Sequence, residues 1–353
     1  MDAAIIPPTP YDHATAQFLS NVALLANEQY DNPSWNGDIP ADLVPAGYTQ
    51  IAKFQVPNLD LNKAVDAFLT AHPELHPLVH TDAALVDADV DALVDAEIEV
   101  LNTHLSNALE DPATLSLIAA AAAPPQHLAD FTPAWFGFAL APTSDNLTGS
   151  NIVAFRGTRT AIEWVVDAAA VQVPVPLVWF SDGKLKIARV HLGFLIWFAF
   201  VKPQVDAAVL KFNPNAVSTQ TTGHSLGAAI ATLTSIYLKL GSPLTPVQSY
   251  PLASPRVGDR TFASAYDFYV PSTFRIVNLT DWVPVVPPTS LTIVVHGVTV
   301  SVQNTHVGQE WSYLWQTGDL NTNHSLKINY NPAIIANVAT DAARTYPNTG
   351  VPC

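Results

Sequence analysis

The apolar positions of this chain follow two rhythms, and the change between them falls near residue 131. From Val86 through Val90, Leu93, Val94, Leu101, Leu105 and Leu109 they recur at roughly three- and four-residue steps, the spacing that lines up side chains on one face of an α-helix. Asp87, Asp89, Asp91, Asp95, Glu97 and Glu99 fall mostly between them and read as the solvated face of that helix, since no glycine-bearing calcium-loop spacing accompanies them. Pro124 and Pro125 end the region after an alanine run. Residues 1–130 therefore predict a helical N-terminal extension. Beyond it, short β-branched runs such as Ile152–Phe155 and Phe274–Val277 alternate with helix-length apolar segments such as Ala228–Leu240. That alternation predicts βα units around a mostly buried, mostly parallel sheet flanked by helices, one α/β domain over 131–353. No internal repeat or low-complexity linker separates the two regions.

Composition narrows the function classes. Of 353 residues 49% are apolar and only 13% charged, about half the usual ~25% of a soluble domain. Fifteen basic against thirty acidic residues leave a net charge of −15, which argues against a nucleic-acid partner because phosphate binding needs clustered Lys and Arg. The mean hydropathy of +0.20 raises the question of a membrane span. The longest strongly apolar run, Leu192 to Val201, is half the ~20 residues a spanning helix requires, so no transmembrane segment is expected. Cys353 is the single cysteine; it leaves no internal disulfide and no cysteine-based zinc site. The opening MDAAIIPPTP lacks the positive charge and uninterrupted apolar stretch of a signal peptide. With sequons at Asn146, Asn278 and Asn323, a processed secreted form is preferred to a cytosolic protein.

The chemistry concentrates at Thr222-Gly223-His224-Ser225-Leu226-Gly227-Ala228. A G-x-S-x-G pentapeptide followed at once by an Ala-, Ile- and Leu-rich helix is the setting of a nucleophile elbow, a tight strand-to-helix turn that exposes the serine hydroxyl. It makes Ser225 the candidate nucleophile and gives the backbone N–H of Leu226 as one oxyanion donor. The order Ser, Asp or Glu, His leaves Asp259, Asp267, Asp281 and Asp319 as acids and His296, His306 and His324 as bases. Spacing alone does not choose among them. Asp281 follows the strand-like Arg275-Ile276-Val277-Asn278 and precedes a proline-rich loop, where a sheet delivers an acid at its carboxyl edge. His296 lies in the alternating run Thr292 to Val300, while His324 lies in the polar Thr322-Asn323-His324-Ser325. No H-E-x-x-H or similar spacing points to a metal, and no cofactor is implied.

Several segments, in order, resemble the class 3 lipases typified by secreted fungal triacylglycerol lipases of the α/β-hydrolase superfamily. They are Val153-Ala154-Phe155-Arg156-Gly157-Thr158, Ile162 to Asp167, His191-Leu192-Gly193-Phe194, Gly223 to Gly227, Pro255-Arg256-Val257-Gly258, Asp281-Trp282-Val283-Pro284 with Pro287-Pro288, and His306-Val307-Gly308-Gln309-Glu310. Individually modest, they share the family's order over about residues 131–330. The resemblance implies an α/β-hydrolase fold, Ser225 as nucleophile, Asp281 as triad acid and His324 as base, with His306 structural and the fallback base. It adds Thr158 as the second oxyanion-hole residue and makes Arg156 a loop anchor.

Over Ala161 to Ala170 the only charges are Glu163 and Asp167, while Ile162, Trp164, Val165 and Val166 are apolar. A surface helix that apolar is costly in water, and the resemblance implies that it is a lid, about 159–180, that opens at an oil–water boundary. Val173 to Phe180, with Phe194, Trp197, Phe198 and Phe200, are candidates for an acyl-chain groove or for plain core. The expected partner is thus a lipid or other ester. The expected activity is hydrolysis of acylglycerol esters through an acyl-enzyme, with a feruloyl esterase-like enzyme on soluble esters, phospholipase A1, and a catalytically inactive lipid-binding protein as competing readings.

Overall fold

The computed structural model describes residues 10–57, 61–73, 105, 107–122, 134–158, 171–181, 184–242, 245–295 and 298–336. A seven-stranded sheet organises them. Its strands, in spatial order, are β1 (Tyr48–Val56), β2 (Ala134–Pro142), β3 (Asn151–Phe155), β6 (Thr219–His224), β7 (Val247–Leu252), β8 (Ser272–Asn278) and β11 (Gln309–Tyr313). β2 runs antiparallel to both β1 and β3, and from β3 to β11 every pairing is parallel. Two hairpins stand apart from the sheet, β4 (Gln172–Ser181) with β5 (Lys184–His191), and β9 (Ser290–Val295) with β10 (Val298–Gln303).

The parallel strands are covered on both faces, which is why β3 and β8 are buried at every residue. β6 is buried throughout as well, although its sequence Thr-Gln-Thr-Thr-Gly-His is polar. Its hydroxyls are satisfied in place: Thr221 Oγ1 meets Ser235 Oγ at 2.6 Å and Ser249 Oγ at 2.9 Å, and Thr222 donates to the Tyr250 carbonyl at 2.9 Å. Buried hydroxyls without such partners would each cost on the order of 1–3 kcal/mol.

The α-helices of five residues or more among the described residues, in chain order, are α1 (His13–Asp31), α2 (Leu61–Ala71), α3 (Pro112–Ala121), α4 (Leu192–Val209), α5 (Leu226–Gly241), α6 (Arg260–Tyr269), α7 (Leu320–His324) and α8 (Asn331–Ile335). α4 and α5 lie over one face of the sheet. Leu192, Ile196, Val201 and Val205 of α4 are fully buried. Among the described residues α4 is the one helix long and apolar enough to cross a membrane, and its place is in the core.

The described part of residues 1–130 is helical as expected at α1, α2 and α3, and departs from a purely helical extension at one strand. Tyr48–Val56 is a strand, and it forms the edge of the main sheet. α1 is capped by the Asp12 carboxylate, which accepts from Thr15 N at 2.7 Å. Its Ala16, Leu19, Val22, Ala23 and Ala26 pack on Phe138, Ile152, Leu252 and Ile276, so it covers the second face of the sheet. The acidic stripe from Val86 to Leu101 lies outside the described residues. Residues 172–180, placed in the expected lid, belong to the β4–β5 hairpin.

Candidate active site

β6 ends at His224 and α5 begins at Leu226, so Ser225 is the entire turn between strand and helix. Its backbone sits at φ 59° and ψ −122°, a conformation that costs a residue with a side chain on the order of 1–3 kcal/mol and persists only where the surroundings enforce it. The two flanking glycines make the turn possible. A Cβ at Gly223 would land on the carbonyl of Gly227, and one at Gly227 on the carbonyls of Phe155 and Arg156.

The structure brings three of the sequence candidates into one hydrogen-bonded chain. His324 Nδ1 lies 2.8 Å from Asp281 Oδ2, and His324 Nε2 lies 2.9 Å from Ser225 Oγ. An ionised carboxylate only accepts, so Nδ1 carries the proton and Nε2 is left as the acceptor for the serine hydroxyl. The Asp281 side chain is fully buried and held from two further sides: the Val283 backbone N–H donates to Oδ1 at 3.0 Å and the Tyr330 hydroxyl to Oδ2 at 2.7 Å. Burial, and then the charge of Asp281, push the Tyr330 phenol well above its ordinary range, so it stays a proton donor. Tyr330 follows from no local pattern, and sequence reasoning missed it. Its hydroxyl also accepts from Asn278 N at 3.1 Å, tying it to the strand that delivers the acid.

The remaining candidates have other duties. Asp259 caps α6, accepting from Phe262 N at 2.7 Å and Arg189 N at 3.1 Å, with its pKa pushed up to about 6 by burial. Asp267 accepts from Gly308 N, and Asp319 forms the capping box of α7 with Thr322. His306 Nε2 donates to the Pro284 carbonyl at 2.6 Å. It is half-buried, and its pKa is held well below the usual value by desolvation, Arg275 and Arg256. His296 lies outside the described residues.

The Arg156–Thr158 loop packs directly on the elbow, since a Cβ at Gly157 would stand 3.3 Å from Ser225 Cβ. Thr158 Oγ1 is buried without a hydrogen-bond partner among the described residues. Leu226, as the first helical residue, has no acceptor for its N–H within its own helix. Arg156 anchors the loop: Nε donates to the Trp135 carbonyl and Nη1 to the Gly157 carbonyl, both at 2.6 Å, and the Tyr30 ring lies 3.8 Å from the guanidinium carbon. The lid residues Ile162, Trp164, Val165 and Val166 lie outside the described residues.

Two cavities flank this region. One, of about 310 Å³, is lined by Asn27, Tyr30, Asp31, Thr158, Asn321 and His324, among others. The other, of about 480 Å³, is apolar and receives Val175, Leu177, Leu195, Phe198, Leu233 and Ile236. Leu233 is eight residues along α5 from Ser225, about 12 Å at the helical rise, and no triad residue lines this second cavity. Of the acyl-groove candidates, Val175, Pro176, Leu177 and Phe198 line it, whereas Phe194 and Trp197 are core residues at 1% and 4% exposure.

Besides His306, two buried histidines make the fold acid-sensitive. Burial holds His191 down to about 3, the nearby Asn304 amide only partly opposing it. Burial, and then the neighbouring His324, holds His224 well below its usual value. In the unfolded chain both titrate near 6.5. Below that pH the unfolded state takes up protons that the native state refuses, so stability falls as pH drops through 6.5 and is unaffected above it. Each contributes a slope of about 1.4 kcal/mol per pH unit at its limit. Urea midpoints measured from pH 8 to pH 4 are expected to be flat and then to decline, and His191→Phe should reduce the decline.

Residues 152–291 match the family model described as Lipase (class 3). Phospholipase A1-II 7 of Oryza sativa subsp. indica is 27% identical over 226 residues, 55% of this chain and 54% of its own length. The secreted mono- and diacylglycerol lipase A of Penicillium camembertii is 33% identical over 150 residues, 42% of this chain and 46% of its own. The solved triacylglyceride lipase of Rhizomucor miehei is 28% identical, with 50% of this chain and 61% of that one covered at a TM-score of 0.38. The chain spans about half the length of the curated relatives it matches. The elbow, the Arg156–Thr158 loop and Asp281 all fall inside the segment that matches the class 3 lipase family.

Proposed function

We propose that the chain is a serine carboxylester hydrolase that acts on acylglycerols. The unbroken hydrogen-bond sequence Ser225–His324–Asp281 carries this reading. Ser225 Oγ attacks the ester carbonyl as His324 Nε2 takes its proton, and the negative oxygen of the tetrahedral intermediate is received by Leu226 N–H and Thr158. Collapse expels the alcohol, protonated by His324, and leaves an acyl ester on Ser225. Water activated by the same imidazole then attacks that ester and releases the carboxylic acid. Asp281 keeps the imidazole in the working tautomer and stabilises its charged form.

The acylglycerol substrate is supported by the match of residues 152–291 to the class 3 lipase model and by the apolar composition of the 161–170 segment. Phospholipase A1 activity is the second reading, supported by the rice relatives that carry that name. Initial rates on triacylglycerols of increasing chain length, taken below and above the solubility limit, test the lipase reading. A rise in rate on crossing that limit is expected. Smooth saturation on short soluble esters, with no rise at the interface, would instead favour an esterase on soluble substrates.

A further inference from the structure

Three Asn-x-Ser/Thr triplets stand in the chain, at Asn146-Leu147-Thr148, Asn278-Leu279-Thr280 and Asn323-His324-Ser325. None has a proline in the middle, so by sequence each is an acceptor for an N-linked glycan. The structure separates them. Asn278 is fully buried and Asn323 is 3% exposed, whereas Asn146 lies in the surface loop 143–149 between β2 and β3. We propose that Asn146 carries an N-linked glycan, added in a secretory compartment, and that Asn278 and Asn323 stay bare.

The two buried amides are already committed. Asn278 Nδ2 donates to the carbonyls of Trp315 and Asn323 at 2.9 and 3.2 Å and to Asn329 Oδ1 at 3.1 Å, while its Oδ1 accepts from Trp315 N at 3.2 Å. Asn323 Nδ2 donates to Gln316 Oε1 at 3.1 Å, and its Oδ1 accepts from Thr317 N at 2.8 Å. These bonds join the end of β8, just before Asp281, to α7, which carries His324. A sugar on either Nδ2 would replace an amide hydrogen with a ring where no solvent reaches, and would sever the network that brings acid and base together. Both residues are polar joints beside the triad.

Asn146 is placed differently. Its loop is held by backbone bonds, Thr143 N to the Gly47 carbonyl at 2.9 Å and Asn146 N to the Thr143 carbonyl at 3.0 Å. Among the described residues its side chain makes one long hydrogen bond, from Nδ2 to the Gly47 carbonyl at 3.3 Å. Two glycines keep the space beside that nitrogen clear, since a Cβ at Gly47 would stand 3.2 Å from Nδ2 and one at Gly149 2.6 Å. Thr148, whose hydroxyl completes the triplet, is exposed, and so is Leu147 at 81%. A bulky, solubilising glycan here covers a lone apolar side chain and displaces no packed one.

The position also spares the chemistry. Asn151 pairs with Thr219, six residues before Ser225, so the loop sits at the far edge of the parallel strands, on the order of 20 Å from the elbow at ~3.3 Å per residue. In the transfer itself Asn146 Nδ2 forms a bond to C1 of an oligosaccharide carried on a lipid diphosphate. The C1–O bond to the diphosphate breaks, the lipid diphosphate leaves with the bonding pair, and the amide gives up one proton; nothing is oxidised or reduced.

In the test, the full chain is secreted from a yeast behind a cleavable leader and treated with peptide N-glycosidase in heavy-oxygen water, which leaves a labelled Asp wherever a glycan stood. Label at Asn146 alone is expected, in protein active on a short soluble ester. Thr148→Ala, which keeps Asn146 and its bond to Gly47, should abolish the mobility shift produced by the glycosidase and leave kcat within about twofold of wild type, as for a surface substitution remote from the site. Asn278→Gln and Asn323→Gln should keep that shift while lowering activity or the denaturation midpoint. An unlabelled Asn146, or label at Asn278 or Asn323 in active protein, would overturn the proposal. The result is independent of the hydrolase reading, because Ser225→Ala protein should carry the same glycan.

Discussion

Ser225→Ala is expected to lower kcat for ester hydrolysis by on the order of 10⁵-fold or more, with KM and the thermal midpoint close to wild type. The hydroxyl is the only group removed, and its hydrogen bond to His324 is the one side-chain hydrogen bond of Ser225 among the described residues. Alanine is no more strained than serine at φ 59°, so the elbow keeps its shape. Catalysis left over would come from the oxyanion site and binding alone. An acyl-enzyme trapped during turnover, visible as a mass increase on the peptide carrying Ser225, should disappear in the variant. Retention of more than about one per cent of wild-type kcat would show that the nucleophile lies elsewhere, since a missing nucleophile in such a triad costs far more than a hundredfold.

What the sequence made legible follows from how locally each feature is encoded. The elbow is local: a strand, Gly223, Ser225, Gly227 and a helix occupy twenty-odd consecutive positions, and the crowding around the two glycines explains why side chains are excluded there. Asp281 is nearly as local, since the strand Ser272–Asn278 delivers it to the edge of a parallel sheet. His324 needed the family resemblance, because a short polar segment, which folds as the end of α7, carries no signal of what its imidazole faces. The roles of α1 and β1 depended on long-range pairing. Phe54 and Val56 alternate with Lys53 and Gln55, a two-residue rhythm, yet only its register against β2 shows that this is a sheet edge. Asn27, Tyr30 and Asp31 stand nearly three hundred residues before His324 in sequence and share a cavity with it; no spacing rule connects positions so remote. β6 was obscured for another reason: its hydroxyls are satisfied by tertiary partners, so a buried strand carries a polar sequence.

The two late histidines give the second large effect, through their contrast. His324→Ala should cost on the order of 10⁵-fold in kcat, because both the proton acceptor for Ser225 and the partner of Asp281 vanish together. His306→Ala removes a hydrogen bond to the Pro284 carbonyl in the loop that follows Asp281. It should cost about 1–3 kcal/mol of stability, the penalty of an abandoned acceptor, and leave kcat within about tenfold of wild type. Denaturant midpoints and turnover measured on both variants therefore move in opposite patterns: activity without stability for His324, stability without activity for His306. The reverse pattern would make His306 the base. Because serine, histidine and aspartate act as one unit, Ser225→Ala/His324→Ala should be no slower than either single variant. A multiplicative loss would mean that the two residues act in separate steps, which their 2.9 Å contact argues against.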